Sequence, residues 1–288
     1  MQHRISILQH GAKSGTAPAG SHNFGKRSTV GGWSTSSARR NTEFLQSVDY
    51  DQLDGLGLAF TGTLRDCPPT GKDWENLRQN FIKRLRRFGL IRYHWVTEWQ
   101  RRGVPHLHGM LFFPMCSGAE YIRLVEAIRS AWLVLTEVYG SAARGVHLIP
   151  MTDKKGWAEY TGKHAARGVN HYQRSREFMP KGWQGLTGRI WGKGGDWPTC
   201  DTMKFHVDAA VFYRQRRLIR SWRKAEARAE KNAIARARRI RFARGCLRCN
   251  DRPFSSVRGV NDWIPQNLSM QLLYASAAIT GGSVEQHG

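Results

Sequence analysis

Residues 91–113 read IRYHWVTEWQRRGVPHLHGMLFF, and the fold is decided here. The runs 91–99 and 104–113 are rich in apolar, aromatic and β-branched residues, as strands are. The polar QRRG between them is short enough to turn the chain back as a hairpin. Side chains alternate along a strand, so His106 and His108 share one face while Leu107 takes the other. If the turn centres on Arg101, Glu98 lies opposite or nearly opposite His106, on the same face and about 5 Å away. His94 follows by the same parity as a further candidate. A slip of one residue would turn Glu98 away. A carboxylate beside two imidazoles suits Mn²⁺ or Mg²⁺. The alternative is a pair of half-buried, hydrogen-bonded structural histidines.

Working outward, residues 56–64, LGLAFTGTL, predict another strand. Trp74, Leu77, Phe81, Leu85 and Phe88 recur at helical spacing, with Lys83, Arg84, Arg86 and Arg87 between them and Gly89 to close the helix. After the hairpin, Ile122, Val125, Ile128, Trp132 and Leu135 mark a second helix. GVHLI at 145–149 reads as a fourth strand, and a third helix is expected across about 153–167. The order β-α-β-β-α-β predicts an α+β fold with a ferredoxin-like antiparallel sheet. Two helices cover one face, and the other is left for a site or a further helix.

The charge balance narrows the partner. Forty-five Lys and Arg against 22 Asp and Glu give a net charge of +23. A field that positive favours a polyanion, and nucleic acid is the commonest one. A merely solvated basic surface is the plain alternative. A membrane surface fits less well, because the basic stretches lack an apolar opposite face. No apolar run is long enough to span a bilayer, and the N-terminus has no signal-peptide core, so a cytoplasmic location is expected. The five cysteines are scattered and suggest no disulfide framework. Cys246 and Cys249 have metal-ligand spacing, but no second pair follows, and zinc is not expected.

Residues 1–40, rich in Ser, Gly and Thr, read as a mobile tail, followed by one domain over 41–200. Residues 201–245 read as a basic helical extension, with thirteen basic and two acidic residues between Arg214 and Arg244. Such a helix could track phosphates; a solvated extension is the alternative. Residues 246–288 show no period and read as a disordered tail. GLTGRIWGKGGDWP at 185–198 offers Arg189 and Lys193 as phosphate contacts and a Trp to stack on a base. Its plainer reading is a glycine-turned hairpin with Trp191 in the core.

The expected third helix sets Tyr160, Lys163, His164 and Arg167 on one face. A tyrosine can attack a phosphodiester when its phenolate is stabilised, and Lys163, one turn on, can help hold the phosphate. Tyr-x-x-Lys alone is more often an amphipathic surface.

Together these stretches resemble the HUH endonucleases, named for two histidines flanking a hydrophobic residue. The likeness is to rolling-circle replication initiators of filamentous phages. AFTGTLRD at 59–66 resembles the first motif of that family, TEWQRRGVPHLHG at 97–109 the second, and YTGKHAAR at 160–167 the third. The resemblance implies that 41–200 is a nicking domain using Mg²⁺ or Mn²⁺. Tyr160 would be the nucleophile, Lys163 its assistant, and His106, His108 and Glu98 the metal ligands, with Arg167, Arg189 and Lys193 on DNA. It implies origin DNA, single-stranded or supercoiled, as substrate. A plasmid-mobilisation relaxase or single-strand transposase shares this chemistry, and a non-catalytic single-strand-binding module shares the fold. Some members carry a second tyrosine where His164 stands, so either one tyrosine acts or Tyr172 substitutes. No G-x-x-x-x-G-K-[ST] loop is present, so a host helicase is expected, together with a host polymerase.

Overall fold

Two antiparallel sheets form in the computed structural model, which describes residues 2–17, 31–151, 169–183, 185–245 and 260–287. In chain order the strands are β1 (Gln2–Leu8), β2 (Gly11–Ala17), β3 (Leu56–Thr63), β4 (Arg92–Trp99), β5 (Pro105–Phe113), β6 (Val146–Met151), β7 (Trp191–Gly194), β8 (Met203–Val207), β9 (Val260–Trp263) and β10 (Val284–His287). The helices are α1 (Thr35–Ser47), α2 (Gly71–Arg87), α3 (Gly118–Leu135), α4 (Ala209–Ala229), α5 (Ala233–Gly245) and α6 (Gln266–Thr280). The chain divides into two compact units. One holds residues 26–45 and 49–198, the other 1–25, 46–48 and 199–288.

In the first unit the sheet order is β6-β3-β5-β4-β7, every neighbouring pair antiparallel. The sequence order β3-α2-β4-β5-α3-β6 is the α+β pattern expected. Thr70 starts α2 through a reciprocal capping box: its Oγ accepts from Asp73 N, and the Asp73 carboxylate accepts from Thr70 N, each at 3.1 Å. The helix then buries Trp74, Leu77, Phe81 and Leu85 against the sheet. Phe60 of β3 meets Phe81 at 4.9 Å and Trp132 of α3 at 5.3 Å between ring centroids, so both helices share one face. Gly62 permits this, because a Cβ there would lie 2.6 Å from the Trp132 ring. In α3, Ile128 and Trp132 are buried and Tyr121 and Leu124 pack partly buried against the core, while Ile122 is exposed.

Of the segment expected to be a mobile tail, the described residues 2–17 form strands and 35–40 begin a helix. Helix α1 lies on the other sheet face, where Asn41 Oδ1 meets His94 Nε2 at 2.7 Å and Phe44 stacks on Trp191. Strands β1 and β2 belong to the second unit, whose sheet order is β10-β8-β1-β2-β9. Ile5 stands opposite Phe205 and Ile7 opposite Met203, so strands far apart in the sequence pair directly. Residues 260–287, expected to be disordered, supply β9, α6 and β10 to that unit. The basic extension is likewise no appendage. Val211 and Phe212 of α4 and Leu273 of α6 share a core with Ile5, Ile7, Phe205 and Val207. Non-local pairing produces these elements, so a local apolar period could not show them. Among the described residues no helix is long and apolar enough to cross a membrane.

Candidate metal centre

Strands β4 and β5 pair in the register that sets Glu98 opposite His106 and Val96 opposite His108. Gly103, at φ +74°, lets the chain reverse, with Gln100 N donating to Val104 O at 2.9 Å. On the other side of β5, Thr61 stands opposite His108 and Thr63 opposite His106. The central strand therefore carries both imidazoles, flanked by a carboxylate on one neighbour and hydroxyls on the other.

Glu98, His106 and His108 form the one group of three such donors among the described residues, their ligand atoms all within 4.8 Å of one another. His108 Nε2 lies 3.6 Å from Glu98 Oε2, and the two imidazole centroids are 4.4 Å apart. Thr61 Oγ1 is 2.9 Å from His108 Nδ1, which leaves Nε2 on the carboxylate side. Gln173 Nε2 lies 3.2 Å from His106 Nε2. Glu98 is fully buried, and a lone buried carboxylate would be costly. Arg174, also fully buried, offsets that cost by donating from Nε to Oε1 at 3.0 Å. Its guanidinium lies 3.9 Å from the Trp33 ring centroid, and Trp33 Nε1 donates to Thr97 O at 2.8 Å. Trp99 N donates to Gln173 O at 2.8 Å and fastens this segment to the end of β4.

Two borderline nitrogen donors and one hard oxygen donor fit a divalent ion such as Mg²⁺ or Mn²⁺. Oε1 is engaged by Arg174 while Oε2 faces His108, so one carboxylate oxygen points into the donor set. Arg174 also leaves that set close to neutral. A bound cation would then make the site net positive, as suits a phosphodiester.

Other candidates lie elsewhere. His94 is a structural histidine, bonded to Asn41 and stacked on Phe44 at 5.7 Å, and takes no part in the donor group. Trp191 and Trp197 both pack on Phe44, with Trp197 buried and Trp191 half-buried. The plainer reading of a hairpin with Trp191 in the core does not hold: β7 pairs with the distant strand β4 at the sheet edge, and Trp191 is half-buried. Arg189 is exposed, and its carbonyl accepts from Arg78 Nη1 at 3.1 Å. Lys193 holds its ammonium 4.1 Å from the Phe44 ring, and burial lowers its pKa. Neither joins the donor group. Tyr160, Lys163, His164, Arg167, Cys246 and Cys249 lie outside the described residues.

Gln173, Arg174 and Trp33 were not foreseen, since they sit on segments without apolar period. Thr61 had a usable signal: the β-α-β-β-α-β order places β3 beside β5 and its hydroxyl beside the histidine pair.

The hairpin, the triad and most of the first sheet fall within residues 58–179, which match the model of a family of replication-associated proteins, the ORF2 type. The chain belongs to this family of replication-associated proteins. It is 45% identical over 287 residues to a protein of Xylella fastidiosa (strain 9a5c) named for replication, covering 97% of this chain and 98% of that one. It is 45% identical over 273 residues to a replication-associated protein of Pseudomonas phage Pf3, covering 94% and 95% of the two chains. No solved structure matches the chain.

Proposed function

We propose that this protein is an HUH-type, site-specific single-strand DNA endonuclease and strand transferase that nicks origin DNA to start rolling-circle replication. The observation that carries this reading is the convergence of Glu98, His106 and His108 on a hairpin inside the family-matched region. The Tyr160 phenolate oxygen attacks the scissile phosphorus, the bond to the 3′ oxygen breaks, and that oxygen leaves and takes up a proton. A 5′-phosphotyrosyl link and a free 3′-OH result, the latter to prime a host polymerase. A divalent ion, Mg²⁺ or Mn²⁺, held by the triad would polarise the phosphate oxygens. Thr61 orients His108, Gln173 lies against His106, and Arg174 holds the Glu98 carboxylate. Lys163 steadies the phosphate, while Arg167, Arg189 and Lys193 contact the DNA backbone. Unwinding falls to a host helicase in the cytoplasm of the host cell.

The test uses supercoiled DNA carrying the origin, with Mn²⁺. His106→Ala and His108→Ala should each abolish nicking and leave salt-dependent DNA binding nearly intact. Nicking at the wild-type rate by both variants would refute the role of the triad.

A further inference from the structure

We propose that the helical hairpin of α4 and α5 is a docking surface for the phosphate backbone of duplex DNA; this rests on the reading of the chain as a DNA-processing protein. Asp208 starts α4 by accepting from Val211 N at 2.9 Å. The apolar side of the helix, Val211, Phe212, Ile219 and Ala227, is buried. Away from that side, Arg217, Ser221, Lys224 and Arg228 recur at spacings of 4, 3 and 4, which places them in one row. From Arg217 to Arg228 the row runs about 16 Å, from the rise of about 1.5 Å per residue.

The charges on this row are uncompensated. Among the described residues no carboxylate pairs with Arg217, Lys224 or Arg228. Both acidic residues of the hairpin are engaged elsewhere, Glu226 with Arg223 at 3.0 Å and Glu230 with Arg239 at 3.2 Å. Helix α5 packs against α4 and adds exposed Arg238 and Arg241, also without a carboxylate partner among the described residues. A fixed, unpaired cationic row costs self-repulsion that a polyanion relieves.

The neighbouring side chains choose among polyanions. Single strands are held largely by exposed aromatics that stack on bases. The one exposed large hydrophobic residue among the described side chains of α4 and α5 is Ile234. A membrane surface needs an apolar helix face turned outward, and the apolar face of α4 is turned into its own core. A straight row of about 16 Å lies against several phosphates of a duplex, which carries one negative charge per about 1.7 Å of its axis.

The full-length triple variant Arg217→Ala, Lys224→Ala and Arg228→Ala tests this, with a circular-dichroism melt to verify the fold. Binding is read by fluorescence anisotropy on a random-sequence duplex of about 30 base pairs, across a salt series. The slope of log K against log salt should become shallower by about 2 to 3, and affinity at moderate salt should drop roughly tenfold or more. Affinity for a single-stranded oligonucleotide of the same length should stay within about twofold. An unchanged duplex affinity and slope would overturn the proposal. So would an equal loss on the single strand, or a loss confined to phosphatidylserine vesicles. If wild type forms no covalent adduct with origin DNA, the nicking reading fails while the duplex measurement still stands.

Discussion

Glu98 and His106 face each other across the β4–β5 pair, and the carboxylate of Glu98 is held from behind by the buried guanidinium of Arg174. The site thus comes in two layers. The hairpin register brings the donors together, and the 171–174 segment fixes the carboxylate between an arginine and a histidine.

Arg174→Ala should destabilise the protein by about 3–5 kcal/mol, because it strands a buried carboxylate. Chemical denaturation at neutral pH reads this directly. Arg174→Lys should recover only part of the loss, since the planar guanidinium also lies over Trp33. A cost below about 1 kcal/mol for the alanine variant would mean that the pair contributes little.

Thr61→Val keeps the β-branched shape of the strand and removes the hydroxyl 2.9 Å from His108 Nδ1. Mn²⁺ affinity, read by calorimetry, should then fall about 10- to 100-fold, the usual loss when the partner orienting a ligand histidine is removed. Unaltered affinity would show that the hydroxyl does not orient the ring.

Gly62→Ala tests the packing beneath the site. The new Cβ would meet the Trp132 ring at 2.6 Å, so Trp132 must shift or the strand must bow. A loss of about 1–3 kcal/mol is expected by thermal or urea unfolding. Pairing the change with Trp132→Phe, a smaller ring, should restore part of it.

Burial pushes the Cys67 thiol from its ordinary 9.0 up to about 11. The folded pKa lies above the unfolded one, so folding favours the protonated thiol. The associated stability is fully present below about pH 9 and is lost as pH rises through about 11. Cys67→Ser should flatten the fall in stability across that window. Alkylation of Cys67 in the native protein near pH 9 should also run slower than in the unfolded chain.

The hairpin, its register and the two-helix face were legible because they rest on local signals: alternation over 91–113, helical spacing from Trp74 to Leu85, and a short polar turn. The triad follows from that register alone. The second unit was not legible. Lys13 and Ser14 of β2 lie in a segment poor in apolar residues, and it is a strand because β1 and β9 pair with it from both sides. Pairing of this non-local kind can join segments far apart in the sequence, as Ile5 and Phe205 show, and it leaves no mark in a local window. Arg174 was hidden for a related reason: a buried arginine on an irregular segment looks like one more cation in a strongly basic chain. His94 had the parity of a ligand but the surroundings of a core residue, and parity does not report surroundings.

The central claim is that a tyrosine of this chain becomes joined to DNA, and one gel tests it most directly. Wild-type protein and Tyr160→Phe are each incubated with single-stranded origin DNA and Mn²⁺, then resolved under denaturing conditions. Wild type should yield a covalent protein–DNA species, and the Phe variant should yield none while binding the same DNA. An equal amount of adduct from Tyr160→Phe would contradict the assignment, and no adduct from either would contradict the nicking function itself.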